Sequence, residues 1–191
     1  MSRIQMAQPT GILVCPPDHF QVIDVKNPFM KVGVTVDRVL AREQWLRLFD
    51  PIAGLFASKL GAEIHTLVPI EGCEDQVFTA NPTFCGLHPE TKEKIAVLAQ
   101  MKHPSRRREV DAHARWFRSR GYRVHELPQI AKGFEGGGDA IWHPDGRRIW
   151  GGYGFRSGLD AYGPLSRIFQ TEVITLHLVD ELFYHLDTWL V

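Results

Sequence analysis

The sequence predicts an α+β protein in which short strands and helices pack in layers, and three observations lead to that prediction. Short apolar runs that end at Pro or Gly indicate strands, and Gly11 to Cys15, closed by Pro16 and Pro17, is the first of them. Longer apolar patterns with helical spacing lie between such runs, so strands and helices alternate along the chain. No polar linker interrupts the sequence, so we expect a single domain over residues 1–191.

In the first half of the chain, the clearest element is a helix. Asp37 is a suitable N-cap residue, the helix is predicted to run to about Leu60, and Gly61 is its expected C-terminal stop. Pro51 lies inside this pattern and predicts a kink or a division into two helices. The apolar residues of the helix form a broad face. Three further short stretches are predicted to be extended, namely Phe20 to Val25, Ile64 to Val68 and Val77 to Thr79.

The second half predicts a helix, a hairpin and several strands. Ser105 is expected to start a helix, with Glu109 completing a capping pattern, and Gly121 ends it. Pro144 to Gly146 predicts the turn of a hairpin. The apolar stretch Lys94 to Met101 is ambiguous between helix and strand. The remaining expectations are strands at Tyr122 to Leu127, Val173 to Val179 and Leu182 to Leu186, and a helix near Pro164 to Phe169.

Charge and cysteine content exclude several classes of protein. Lys plus Arg equals Asp plus Glu, at 22 each, so the chain lacks the field of a nucleic-acid binder. The three cysteines match neither a disulfide framework nor a zinc site, which favours a reducing compartment. The N-terminal residues do not resemble a signal peptide, and no apolar run is long enough to cross a membrane. We therefore expect a cytoplasmic protein without nucleic-acid or membrane partners.

One cluster of polar residues suits a planar cation, and a second cluster suits the close approach of another group to the backbone. Asp75 and Asn81 offer oxygens to a guanidinium, and Phe78 offers an aromatic edge, although a turn rich in Asp and Asn explains the same pattern. Glu135 and Asp139 flank three successive glycines, which allow another group to come close to the backbone. The glycine-rich segment lacks the lysine of a phosphate-binding loop.

Other residues point to acid–base chemistry and anion binding. His185 and Asp187 share one face if their segment is a strand, and a His beside a carboxylate is a candidate general acid/base. A half-buried structural His is the alternative. Arg156 and the group Arg106 to Arg108 suit a carboxylate ligand, or are surface residues. No cluster of His and Cys predicts a metal site.

Taken in order along the chain, these clusters resemble one family. The relevant segments are residues 15–20, 27–30, 75–81, 134–139, 152–156 and 184–188. The series is similar to the branch of the pentein superfamily that contains the dimethylarginine dimethylaminohydrolases, arginine dihydrolases and amidinotransferases. The likeness spans the chain from about Gly11 to Thr188.

The resemblance implies a fold and a reaction. The fold is a pentein α/β-propeller of ββαβ units around a pseudo-five-fold axis, here partial and missing its last part. The reaction is an attack by a cysteine thiolate on the guanidinium carbon of arginine or methylated arginine, followed by loss of ammonia or an amine and hydrolysis of the covalent adduct. No cofactor is implied, and the ligand is a small guanidino molecule.

The resemblance also implies a role for each candidate residue. His185 is the general acid/base and Glu135 orients it. Asp75 and Asn81 hold the guanidinium beside Phe78, whereas Asp139 braces the glycine-rich segment or touches substrate. Arg156 and one arginine of Arg106 to Arg108, preferably Arg108, hold the substrate carboxylate. The amide of Asn81, where many relatives have a second carboxylate, resembles the arginine dihydrolases.

One departure from the family concerns the nucleophile. The family's cysteine lies well after the His-Leu-Asp motif, but this chain ends at Val191, and neither Cys15, Cys73 nor Cys85 matches its place. We therefore expect a C-terminally incomplete domain with negligible turnover on its own, and exposed sheet edges that favour association or a homo-oligomer. A non-catalytic arginine-binding or scaffold remnant is the second hypothesis, and a metal protein is a weaker third.

Overall fold

The structure is a computed structural model that describes residues 10–31, 33–56, 58 and 61–190. The described residues form two compact units, an N-terminal unit of residues 10–79 and a C-terminal unit of residues 80–190. Helices and strands occur in both units, as expected for an α+β protein. Within the described residues, no helix combines the length and the apolar character that crossing a membrane requires.

The N-terminal unit is built on a strand–helix–strand connection. Strand β1 (Gly11–Val14) pairs in parallel with strand β2 (Glu63–Thr66), and helix α1 (Arg38–Leu55) connects them. A parallel pair requires a crossover connection, because the chain must return to the same end of the sheet. The two predicted strands are therefore confirmed, with Gly11 opposite Glu63 in the register.

Helix α1 confirms the predicted cap but not the predicted division. The carboxylate of Asp37 accepts a hydrogen bond from the backbone N–H of Leu40 at 3.0 Å, which satisfies one of the free donors of the first turn. Pro51 lies inside one continuous helix, so the alternative of two helices is wrong. The predicted end at Leu60 lies outside the described residues. None of the described residues of the helix is buried, and Val39 is 71% exposed.

The C-terminal unit contains two modules with the same topology. In the first, strand β3 (Thr83–Leu87) is antiparallel to β4 (Lys94–Leu98), helix α2 (Arg107–Ser119) follows, and strand β5 (Arg123–His125) pairs in parallel with β4. In the second, β6 (Ala140–Trp142) is antiparallel to β7 (Arg148–Tyr153), helix α4 (Tyr162–Phe169) follows, and β8 (Glu172–His177) pairs in parallel with β7. Each module is thus ββαβ. A one-turn helix, α3 (Gly136–Asp139), lies between them.

The hydrophobic core of this unit is drawn from both modules. Phe84 and Val97 of the first module are 3% and 0% exposed, and Ile149, Leu165 and Phe169 of the second are completely buried. The ring of Phe169 meets that of Phe84 edge to face, with the centroids 5.4 Å apart. The modules therefore share one hydrophobic core.

Turn chemistry explains the predicted strands that are absent. Leu182 to Leu186 is not a strand, because the side chain of Asp180 accepts from the backbone N–H of Leu182 at 2.9 Å and starts a 3₁₀ turn over Glu181–Phe183. A second 3₁₀ turn follows at Leu186–Thr188, so His185 and Asp187 do not share a strand face. The strand predicted at residues 77–79 is also absent, because this part of the chain forms turns. The N–H of Phe78 donates to the carbonyl of Asp75 in one of them.

The start of α2 also differs from the expectation. A 3₁₀ turn at Pro104–Arg106 precedes the helix, and no side chain caps either element. Glu109 does not form the predicted pattern with Ser105, because its carboxylate is bound by the guanidinium of Arg106. Gly121 takes a φ of 76° just past the last turn and so ends the helix as predicted.

Candidate active site

The glycine-rich segment positions the first residue of the site. Gly136 has a φ of 51°, and a Cβ atom on it would overlap the backbone carbonyl of Asn81, so only glycine allows this approach. The N–H of Gly137 then donates to the carbonyl of Ala80 at 2.8 Å. These contacts bring Glu135, which directly precedes Gly136, beside the segment that carries Asn81. The predicted close backbone approach is therefore confirmed.

Glu135 and His185 form a buried pair. Nε2 of His185 lies 2.8 Å from Oε2 of Glu135, and the two residues are 5% and 0% exposed. Burial alone raises the pKa of the Glu135 carboxyl, but the hydrogen bond from His185 and the charges of Arg156 and Arg106 outweigh it and lower the pKa to about 2. Glu135 is thus an anion over the physiological pH range and holds one nitrogen of the imidazole.

Further donors hold the Glu135 carboxylate in place. Nη1 of Arg156 donates to Oε2 at 3.0 Å, and the backbone N–H of Lys102 donates to Oε1 at 3.1 Å. The guanidinium of Arg156 also lies over the ring of Tyr184, with 4.8 Å between its carbon and the ring centroid. Arg156 is buried, so its ion pair with Glu135 lies in the interior of the protein and holds the carboxylate in place.

The second nitrogen of His185 faces Asn81. Nδ2 of Asn81 is 3.3 Å from Nδ1 of His185, and Oδ1 of the same amide accepts from Nη1 of Arg106 at 3.1 Å. Arg106 is itself held by the Glu109 carboxylate through Nε and Nη2, the shortest distance being 2.8 Å. A chain of buried polar side chains therefore runs from Glu109 to His185.

Asp139 braces the backbone near His185. Its Oδ1 accepts from the backbone N–H of Leu186 at 3.2 Å, and its Oδ2 accepts from the hydroxyl of Ser157 at 2.5 Å. Ser157 in turn accepts from the N–H of Glu135 at 2.9 Å. Burial raises the pKa of Asp139 to about 6 in spite of these donors and the charge of His185. The carboxyl thus joins the glycine-rich segment to the turn that carries His185.

Two of the predicted guanidinium contacts lie in the N-terminal unit. Asp75 is 1% exposed, and its Oδ2 lies 3.0 Å from Nζ of Lys26, whose ammonium also binds Glu74 at 3.1 Å. Phe78 is 44% exposed, and its ring meets that of Phe20 edge to face. A cluster of buried charges therefore surrounds Asp75, as a cation-binding carboxylate requires. Its participation in the site of His185 stays a prediction.

The arginines of the group Arg106 to Arg108 differ in burial, which the sequence did not indicate. Arg108, the preferred carboxylate contact, is exposed, whereas Arg106 is 4% exposed and contacts Asn81. Sequence reasoning missed Arg106, Glu109, Ser157 and Lys26 as members of buried polar clusters. The spacing of Arg106 and Glu109, three residues apart with opposite charges, is the one signal that favoured a pair. No group of His, Cys, Asp and Glu among the described residues has the arrangement of a metal site.

Comparison with known proteins relates the chain to enzymes that act on arginine. No protein-family model matches it. It is 41% identical over 184 residues to the bifunctional arginine dihydrolase/ornithine cyclodeaminase ArgZ of Synechocystis sp.. The aligned region covers 96% of this chain and 24% of ArgZ. It is also 36% identical over 173 residues to the N(G),N(G)-dimethylarginine dimethylaminohydrolase of Mycobacterium tuberculosis, covering 91% of this chain and 52% of that protein.

A solved structure supports the same relationship. The substrate-bound N-terminal domain of ArgZ, described as an arginine dihydrolase and crystallised as a cysteine-to-serine variant, matches with a TM-score of 0.82 at 40% identity. The match covers 93% of this chain and 61% of that chain. The chain thus spans about a quarter of ArgZ and about half of the mycobacterial relative.

These relatives indicate which proteins the chain resembles. It is similar over more than nine tenths of its length to arginine dihydrolases and to a dimethylarginine dimethylaminohydrolase, which are guanidine-modifying proteins of the pentein type, and this confirms the resemblance given by the order of its motifs. Among these proteins, arginine dihydrolases of the ArgZ and AgrE kind are similar to it over more than nine tenths of its length, at 41% identity in both cases.

Proposed function

We propose that this protein is a hydrolase-type guanidine-modifying enzyme that acts on arginine or methylated arginine through a cysteine thiolate and a covalent intermediate. The observation that carries the proposal is the buried pair of His185 and Glu135, 2.8 Å apart. A histidine fixed by an anionic carboxylate at one nitrogen has the other nitrogen available for proton transfer. The names of the relatives, which include arginine dihydrolase and dimethylarginine dimethylaminohydrolase, support the same reaction class.

In the proposed reaction, His185 transfers protons at Nδ1 because Nε2 is engaged by Glu135. The cysteine thiol gives its proton to Nδ1 of His185, and the resulting thiolate adds to the guanidinium carbon. The carbon–nitrogen bond then breaks as Nδ1–H protonates the departing ammonia or amine. Nδ1 then takes a proton from water, whose oxygen attacks the same carbon and releases the thiolate. Glu135 stabilises the imidazolium, and Asp75 and Asn81 hold the guanidinium nitrogens beside Phe78.

The remaining candidate residues have supporting parts in this proposal. Arg156 and Arg108 contact the substrate carboxylate. This part of the proposal is supported by the ion pair of Arg156 with Glu135, the carboxylate that also binds His185. Asp139 braces the glycine-rich segment through its bond to Ser157 and does not transfer protons. We also propose that residues 1–191 form one pentein-like domain, part of an α/β-propeller. The paired ββαβ modules of the C-terminal unit support this interpretation.

The same proposal assigns no turnover to these 191 residues alone. Burial raises the pKa of the Cys85 thiol to about 11, so it is not a thiolate at neutral pH. Cys15 and Cys73 are buried. We propose that the thiolate comes from a cysteine other than these three. In this proposal the ligand is a small guanidino molecule and the compartment is the cytoplasm. The oligomeric state of the chain is a separate measurement.

Binding of L-arginine tests the proposal without requiring turnover. Isothermal titration calorimetry of the purified chain should detect binding, and Asp75→Asn should weaken it by at least tenfold, because a charge-assisted pair is lost. Glu126→Gln, which removes an exposed carboxylate, is the matched control and should bind as the wild type does. Equal affinity for all three chains would contradict the guanidinium site.

A turnover assay separates the enzyme from the second candidate, an arginine-binding protein without chemistry. Citrulline, ornithine and ammonia are measured after incubation with arginine and with dimethylarginine. Binding without product from these residues, and product from a longer chain with a further cysteine, supports the enzyme. Binding without product from both supports the non-catalytic alternative. Product from these residues that persists in Cys73→Ser would contradict the requirement for another thiol, unless Cys15 or Cys85 replaces it.

A further inference from the structure

The polar chain from Glu109 to His185 contains an arginine, Arg106, which is linked to the reacting histidine through Asn81. The guanidinium of Arg106 is 4% exposed and binds both oxygens of the Glu109 carboxylate. Because Glu109 lies in the first turn of α2, three residues further on, this pair is rigidly placed. Nη1 of the same guanidinium reaches the side-chain amide of Asn81 at 3.1 Å.

Arg106 determines which way the amide of Asn81 points. A guanidinium has only donors, so the Asn81 atom next to Nη1 must be the acceptor Oδ1. The donor Nδ2 then lies on the other side, 3.3 Å from Nδ1 of His185. Rotating the amide by 180° would bring its two N–H bonds against the N–H of Arg106. The orientation therefore follows from hydrogen-bond chemistry and is not an arbitrary choice between nitrogen and oxygen.

The direction of the amide in turn determines where the imidazole of His185 carries its proton. Since Nδ2 of Asn81 donates, Nδ1 of His185 must accept, and the neutral ring has its proton on Nε2. That proton points at Oε2 of Glu135, 2.8 Å away. We propose that Arg106 is a positioning residue: held by Glu109, it fixes the amide of Asn81 so that the resting His185 is the Nε2–H tautomer.

The surroundings of Asn81 prevent the amide from moving aside. A Cβ atom on Gly138 would overlap Nδ2 of Asn81 and would lie 3.4 Å from Nδ1 of His185. The space beside Gly138 is therefore occupied by the amide and the imidazole, and the Asn81 side chain cannot shift towards this glycine. Steric and hydrogen-bond constraints select the same arrangement.

This inference deepens the proposed function and rests on it for its catalytic meaning. In the resting site the lone pair at Nδ1 is occupied by Asn81, and the departing amine or the attacking water takes that position during the reaction. An aspartate at residue 81 would accept from Arg106 and from Nδ1–H, and the ring between it and Glu135 would be favoured with both nitrogens protonated. The amide therefore keeps Nδ1 ready to accept a proton, which an acid at this position would not do.

Nitrogen NMR of the histidine ring reports the tautomer directly. In the ¹⁵N-labelled full chain at pH 8 without ligand, the two ring nitrogens of His185 should give widely separated signals, with Nε2 protonated. Arg106→Gln should bring the signals together, because the amide can then turn its oxygen towards Nδ1 and favour a ring protonated at both nitrogens, with Nε2–H still bound to Glu135. Asn81→Asp should also bring them together, because an imidazole between two carboxylates is favoured with both nitrogens protonated. Arg115→Gln, which changes an exposed arginine further along α2, is the matched control and should leave the spectrum unchanged.

Three results would overturn the inference. These are an Nδ1–H tautomer in the wild type, an unchanged His185 spectrum in folded Arg106→Gln, and an equal change in Arg115→Gln. If Arg106→Gln does not fold, Asn81→Asp keeps the Arg106–Glu109 pair, and its His185 signals are expected to lose their separation for the same reason. Because the spectrum needs neither arginine nor turnover, failure to bind arginine would contradict the proposed function and leave this result intact.

Discussion

Nε2 of His185 lies 2.8 Å from Oε2 of Glu135, although fifty positions separate the two residues in the sequence. Both side chains are buried, and the carboxylate also accepts from Arg156 and from the backbone of Lys102. The imidazole is therefore held on one side by an anion, and on the other by the amide of Asn81. This buried network contributes to the stability of the fold.

Acid should weaken the fold through Glu135. Its pKa is about 2 in the folded chain and about 4.5 when unfolded, so the unfolded state binds more protons between these values. The stabilisation is fully present above pH 4.5 and is lost as the pH falls through 2, on the order of 3 kcal/mol. Urea unfolding from pH 2 to 5 measures it. In Glu135→Gln this component should be absent, and an equal slope in both proteins would refute the assignment.

His113 should produce a second acid-sensitive window at higher pH. Burial and the charge of Arg106 lower its pKa to about 4, whereas an unfolded histidine titrates near 6.5. The unfolded state therefore binds more protons between pH 4 and 6.5, and stability rises with pH across this range by about 3 kcal/mol. Thermal unfolding of His113→Gln should show a smaller slope there. His177→Gln, at an exposed position, should retain the wild-type slope, and an unchanged slope in His113→Gln would exclude this histidine.

Asp139 should act in the opposite direction. Its pKa is raised to about 6 by burial, so the folded chain binds more protons than the unfolded chain between about pH 4 and 6. The folded state therefore loses stability through this group as the pH rises across that range. Asp139→Asn keeps an acceptor for the N–H of Leu186 and removes the buried charge, and it should be at least as stable as the wild type at pH 7. A loss above 2 kcal/mol would show that the charge itself is needed.

Gly138 should tolerate no side chain. A methyl group would overlap Nδ2 of Asn81, so Gly138→Ala should reduce the free energy of unfolding by about 1–3 kcal/mol and alter the His185 ring signals. Gly54→Ala is the matched control, since that glycine lies inside α1 with open space around its Cβ position. This second change should stabilise the chain by up to about 1 kcal/mol. Losses of the same size in both variants would contradict the steric argument.

The sequence predicted what depends on local chemistry. The cap at Asp37, the stop at Gly121 and the hairpin around Pro144 to Gly146 each follow from the conformational preference of one or a few residues. The strand β3 was missed, because its residues Thr83–Leu87 include a glycine and a cysteine and alternate poorly. Pairing with β4 makes it a strand, and such pairing is not visible in a short segment.

The candidate site shows the same limit of prediction from sequence. Motif order indicated Glu135, Asn81 and His185, and the structure brings these three together. It did not indicate which of three consecutive arginines turns inward. The 3₁₀ turn at Pro104–Arg106 sets the phase in which α2 begins, and it directs Arg106 to Asn81 while Arg108 stays exposed. A change of one residue in the start of a helix moves a side chain by about 100°, and sequence spacing alone does not fix it.

The central claim is that acidic, amide and imidazole groups from distant parts of the chain bind one guanidinium. A crystal structure of the chain with L-arginine tests it most directly. We predict that the guanidinium nitrogens lie within hydrogen-bond distance of Asp75 and Asn81, with the guanidinium carbon facing Nδ1 of His185. Arginine bound elsewhere, or Asp75 and His185 lining separate surfaces, would contradict the account.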